Sequence, residues 1–96
     1  MPQAEPTVIP LPAELSIEDA GALRQQLIAH VDDEATVTFS AADISRIHTA
    51  ALQLFCLFCR DRRAAGRSVH WSRPSPALRS AAALLGATTL LALGQE

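Results

Sequence analysis

Three groups of side chains in this sequence are able to do chemistry: the Thr49 hydroxyl, the thiols of Cys56 and Cys59, and the acids and histidines spread along the chain. Thr49 stands directly before an apolar run from Ala50 to Cys59 in which Gln53 is the one polar residue. A threonine at the head of a helix has two uses. Its oxygen can act as an N-cap, accepting from the free backbone N–H of Ala51 or Leu52. Alternatively its hydroxyl can be phosphorylated, because a phosphate at that position meets unpaired N–H donors and the positive pole of the helix dipole. Such a group adds a charge of about −1.5 to −2 beside the apolar helix, enough to remodel a docking surface.

Cys56-Leu57-Phe58-Cys59 has the spacing of a redox or metal pair. A thioredoxin-type pair, however, sits at a helix N-terminus where the thiolate is stabilised, and these cysteines fall well inside the predicted helix. There is no second cysteine pair for a Cys₄ zinc site, and His48 and His70 lack local ligand spacing. Packing as small hydrophobes is the expected role of both. The acids Glu18-Asp19 and Asp32-Asp33-Glu34 fall at a helix start and in a turn, where dipole and solvation account for them. The glycines, at 21, 66, 86 and 94, form no phosphate loop. No catalytic residue, metal or cofactor is expected, and a Cys-x-x-Cys redox or metal protein is the weakest alternative.

These groups need elements to position them. Val8-Ile9-Pro10-Leu11-Pro12 reads as a short extended segment, its prolines favouring a sheet edge. Ser16-Ile17-Glu18-Asp19 has capping-box spacing, and Ile17, Ala20, Leu23, Leu27 and Val31 recur at helical intervals, predicting a helix from about Ile17 to His30. Ala35 to Phe39 alternates as a strand does. A helix follows from about Thr49 to Ala65, with Arg60, Arg62 and Arg63 complementing its C-terminal dipole and Gly66 as its stop. Ser68 to Trp71 is a further strand. Ser75 as N-cap and Pro76 at the first position open a third helix, with Leu78, Ala82 and Leu85 as its buried face and Gly86 as its end. Thr88 to Leu93 is a last strand or a short helix. The alternation predicts an α/β domain with largely parallel strands.

Ninety-six residues make one domain. Its expected limits are residues 8–93, with a flexible start over 1–7 and a tail over 94–96. Apolar residues make up 49% and charged residues 19%, and the rarity of aromatics predicts an aliphatic interior. Residues 1 to 43 hold eight acids and one Arg, whereas 44 to 96 hold seven Arg and two acids. Folding is expected to mix the two halves. A net charge of −2 and the lack of aromatics among basic residues disfavour nucleic acid. The chain's start lacks the charged and apolar regions of a signal peptide, and its longest apolar runs fall short of the roughly 20 residues of a spanning helix. A cytoplasmic protein without direct membrane insertion is the expectation.

The stretch from Asp43 to Leu52, Asp-Ile-Ser-Arg-Ile-His-Thr-Ala-Ala-Leu, resembles the signature of STAS domains, the anti-sigma-factor-antagonist type. There an Asp-Leu-Ser stretch is followed by Asp, Ser or Thr, a small residue, Gly and Leu. Leu11-Pro12-Ala13-Glu14-Leu15-Ser16 is similar to the family's lead into its first helix, and Arg67 to Trp71 with Pro74-Ser75-Pro76-Ala77-Leu78 to a later strand and helix. The likeness spans residues 8 to 93. It implies a small mixed or largely parallel sheet covered by helices, and a non-catalytic module that binds a serine/threonine switch kinase or anti-sigma factor. It also implies that Thr49 is the position phosphorylated by a partner kinase, with His48, Ala50, Ala51, Leu52 and Phe55 around it meeting the partner. A related branch, the small STAS subunit of phospholipid-trafficking ABC transporters, implies an ATPase subunit as partner instead. Two positions depart from the signature: His48 replaces the acid and Ala51 the glycine. Both branches predict an exposed apolar patch around Thr49, Leu52 and Phe55.

Overall fold

The structure, a computed structural model, describes residues 7–91 and residue 93. The expected tail over 94–96 and residues 1–6 of the expected flexible start lie outside the described residues. Thr7 does not belong to that start: it opens the first strand, its N–H donating to the Thr36 carbonyl.

A parallel three-stranded sheet is built from β1 (Thr7–Pro10), β3 (Val37–Ser40) and β5 (Val69–Ser72), with β3 in the middle. Two-residue strands β2 (Glu14–Leu15) and β4 (Arg46–Ile47) form a second, parallel pair. Neither short strand has a periodic pattern that sequence could show. The helices are α1 (Ala20–His30), α2 (Thr49–Ala64), α3 (Pro76–Leu85) and α4 (Thr88–Leu91), with one 3₁₀ turn over Ile17–Asp19 leading into α1. α1 connects the two small strands' side of the fold to β3, and α2 connects β4 to β5. The last segment is therefore helical where the sequence left strand and helix open.

Alternation sorts the sheet. Ile9, Phe39 and Trp71 lie in one cross-strand register row and are buried. Their neighbours Val8, Thr38 and His70 form the next row on the opposite face, where Val8 and His70 are exposed. The pleat thus turns one face into the core and leaves the other toward water. The interior is mostly aliphatic, as expected, but against the inner face of the sheet it has an aromatic centre. Phe39 contacts Phe55, Phe58 and Trp71 at ring-centroid separations of 5.1, 5.5 and 4.8 Å. Every aromatic of the chain is in this one cluster. Few aromatics suffice when all of them meet, since each buries a large area and edge-to-face pairs add about 0.5–1.5 kcal/mol.

Helix ends follow their local signals. The Ser16 N–H and hydroxyl both donate to Asp19 Oδ2, each at 2.9 Å, which holds the Asp19 carboxyl below its usual range. Ser75 Oγ accepts from the Leu78 N–H at 3.1 Å, and Pro76 occupies the first turn. Gly86 closes α3 in the left-handed conformation, φ 71°, that its missing Cβ permits. Leu85, expected on the buried face of α3 with Leu78 and Ala82, is instead 42% exposed. It lies in the last turn before that reversal.

The C-terminal end of α2 holds the least expected feature. Arg62, read from sequence as a cation complementing the helix dipole, has no exposed surface. Its guanidinium donates to the carbonyls of Asp33, Ala35 and Ser68, the last two at 2.9 and 2.7 Å, and lies over the Phe58 ring. Desolvation, with Arg67 nearby, lowers its pKa. One side chain thus joins the loop before β3 to the loop before β5. Arg67 adds a bond to the Asp32 carbonyl at 2.8 Å, so the acidic segment 32–34 and the arginine-rich half meet, mixing the two charge halves as expected. Asp33 also accepts from His30 Nδ1 at 2.8 Å and Thr7 Oγ1 at 3.0 Å, and chiefly through the His30 bond its carboxyl is held below the ordinary range.

Candidate functional site

The segment from Ala41 to Thr49 is held before it reaches the helix. Ala41 and Ile44 are buried anchors, and the Ala41 N–H donates to the Ser72 carbonyl at 3.1 Å. Beyond them, the Ala13 carbonyl accepts from the backbone N–H of Ser45 and Arg46 and from the Ser45 hydroxyl. The β2–β4 pairing then places Arg46 opposite Glu14 and Ile47 opposite Leu15. This brings His48 within reach of the Leu15 carbonyl, to which its N–H donates at 2.8 Å.

That last bond decides the cap. His48 is extended, with φ −73° and ψ 147°, while its carbonyl already accepts from the Leu52 N–H at 3.0 Å. These are the properties of an N-cap. Its Nδ1 accepts from the Ala50 N–H at 3.0 Å. Thr49, expected as a cap candidate, is therefore the first residue inside the helix and does not cap it. Its side chain is exposed, and among the described residues its hydroxyl has no hydrogen-bond partner.

The residues grouped around Thr49 separate by burial. His48 and Thr49 are exposed and Ala50 is half-buried. Ala51, Leu52 and Phe55 are in the core, at 0%, 2% and 0% exposure. The expected apolar patch around Thr49, Leu52 and Phe55 is accordingly absent, and Ala51, Leu52 and Phe55 support the site from beneath. The Ala51 methyl, standing where the signature has glycine, points into the core and leaves the outer surface unchanged. Outward from Thr49 the helix presents Gln53 and Leu57 at four-residue intervals, both exposed. Apolar surface is open elsewhere, in a groove of about 220 Å³ between α1 and α2 lined by Leu27, Ile28, Leu54, Leu57, Arg24 and Asp61. Beside His48 lies a shallow depression of about 270 Å³ formed by Glu14, Leu15, Ser16, Arg46 and Ile47.

The cysteines take no part in this surface. Cys59 is buried and Cys56 half-buried, and burial pushes both thiols up, Cys59 to about 12. Both sulfurs are protonated at neutral pH and pack as hydrophobes. Among the described residues, no three His, Cys, Asp or Glu side chains gather where they could hold a metal ion. No helix among them is long and apolar enough to cross a membrane.

A family model described as "Mlab, STAS domain" matches residues 2–92. The chain belongs to the STAS family. No curated protein matches it. As a STAS domain, with parallel strands flanked by helices, it has a general regulatory or protein-interaction role. Within the STAS fold the signature occupies β4, the cap and the first turn of α2. What the signature could not show is that His48 does the capping, or that Arg62 is internal. The first was open to inspection, since an imidazole nitrogen can accept; the second depends on carbonyls far away in the chain.

Proposed function

We propose that this STAS domain is a non-catalytic regulator that binds a kinase or anti-sigma-type protein through the N-terminal end of α2, with phosphorylation of Thr49 as its switch. The observation carrying this reading is that Thr49 is exposed with its hydroxyl unengaged, because His48 supplies the cap. A hydroxyl used as a cap would have to leave its N–H partner to be modified; this one does not. The phosphate would stand at the positive end of a sixteen-residue helix, over a surface of His48, Ala50 and Gln53. Its charge would repel or release a partner seated there. Incubation with ATP and a serine/threonine switch kinase that binds the chain should place one phosphate on Thr49, read by mass spectrometry, and none on the Thr49→Ala chain. An unmodified Thr49 in a reaction where the kinase is active on another substrate rejects the switch.

The second reading is the STAS subunit of a phospholipid-trafficking ABC transporter, and the description of the matching family model favours it. It uses the same surface with an ATPase subunit as the partner. An affinity pull-down with the tagged chain separates the two, returning either a kinase-like protein or an ABC ATPase.

A further inference from the structure

The His48 cap sets a condition on the ring. To accept from the Ala50 N–H at 3.0 Å, Nδ1 must carry a lone pair, so the imidazole is neutral with its proton on Nε2. When Nδ1 takes a proton it becomes a donor facing a donor, and the bond to Ala50 is lost. The imidazolium would also sit at the positive end of the α2 dipole, where a cation is disfavoured. We propose that His48 is a proton-operated cap: the neutral ring holds the first turn of α2, and protonation releases it, loosening the surface that presents Thr49 and Ala50. An Asp at this position, as the family signature has, caps without titrating near neutral pH; the histidine makes the same end of the helix sensitive to pH.

The surroundings do not substitute for the lost bond. Glu14 of β2 and Arg46 of β4 share the depression beside His48 and stand opposite each other in the strand register, offering one charge of each sign. In the 3₁₀ turn packed against α2, Asp19 is engaged by Ser16. On α3, which packs against β4, Arg79 donates to the Leu93 carbonyl. The His48 backbone stays pinned by Leu15 in either state, so release is confined to the ring and the turn it caps.

That the released turn regulates partner binding rests on the function proposed above; the cap itself does not, and it can be tested on the isolated chain. Histidine takes up its proton between about pH 8 and about pH 5. Across that interval the nitrogen shifts of the His48 ring and the amide shift of Ala50 should move together, with one midpoint. The unfolding equilibrium constant of the wild-type chain should rise about five-fold more than that of His48→Asn, because asparagine caps equally well and carries no titrating group. His30 and His70 are common to both chains and cancel in the comparison. An Ala50 amide that stays fixed while the His48 ring protonates overturns the proposal, and so does an equal pH dependence in the two chains. Should His48→Asn fail to fold, the wild-type shifts decide alone. A chain that shows the coupled titration but takes no phosphate on Thr49 would refute the proposed switch and leave the cap standing.

Discussion

The two ends of α2 are anchored in opposite ways. At the C-terminal end a guanidinium without exposed surface reaches three carbonyls from two loops, and the Arg62 carbonyl accepts from the Arg67 N–H at 2.8 Å. At the N-terminal end one exposed imidazole makes one bond, and the following hydroxyl is unengaged. The first arrangement is costly to disturb, because its guanidinium is fully buried and holds two loops at once. The second can change state at the expense of a single turn. A helix fixed at one end and lightly held at the other presents a switchable surface on a rigid scaffold, and stability and binding should accordingly respond to different residues.

The largest effect tests the anchored end. Arg62→Met keeps the length and the contact with Phe58 but takes the guanidinium donor from the carbonyls of Asp33 and Ala35 and leaves that of Ser68 with only the Val37 N–H, and should lower stability by about 3 kcal/mol or more in urea unfolding. Arg62→Lys should recover only part of this, since an ammonium cannot present the planar fork of donors. A loss below about 1 kcal/mol for Arg62→Met would mean that water replaces the guanidinium, and the contrast between the ends would fall.

Next in size is Leu52→Ala, in the first turn of α2 yet 2% exposed. Removing a buried leucine should cost about 2–5 kcal/mol. Leu57→Ala, on a residue 47% exposed, should stay within about 0.5–1 kcal/mol. Paired thermal melts of the two chains check whether the apolar surface of α2 lies where burial places it. If Leu52→Ala weakened partner capture without lowering the melting temperature, Leu52 would have to be reinstated as a contact residue.

Smaller still is His48→Ala, which removes the cap bond and should cost about 1 kcal/mol, measured at a pH where the ring is neutral. A neutral result would show that the Leu15 backbone bond alone orders the turn.

Much of this architecture was readable in advance, and what escaped had a common cause. Helix limits near His30 and Ala64, the Ser75-Pro76 start and the Gly86 stop are local signals, set by groups a few residues apart. The same holds for the alternation in β3. By contrast, Arg62 is buried because residues 33, 35 and 68 converge on it, and nothing within a turn of Arg62 announces that. The cap moved from Thr49 to His48 for a similar reason: hydroxyl oxygens are the commoner caps, but the bond from His48 to Leu15 extends the chain one residue earlier than the side-chain preference implies. The signature located the site; the β2–β4 pairing determined which of its side chains face out.

The smallest expected effect is the most informative about function. Thr49 is exposed, sits inside the first turn and its hydroxyl makes no hydrogen bond with the described residues, so Thr49→Ala should shift stability by no more than about 0.5 kcal/mol. A mutation silent in unfolding can act only through what the surface meets. Thr49→Ala should therefore abolish phosphate uptake while leaving the melting curve in place, and Thr49→Glu, which puts one negative charge at the positive end of the helix, should be neutral or slightly stabilising by itself. If Thr49→Glu still weakens capture of the protein partner, the loss comes from charge at the interface and not from the fold. If capture is unchanged by both substitutions, Thr49 lies outside the contact, and the lightly held end of α2 must act through His48 alone.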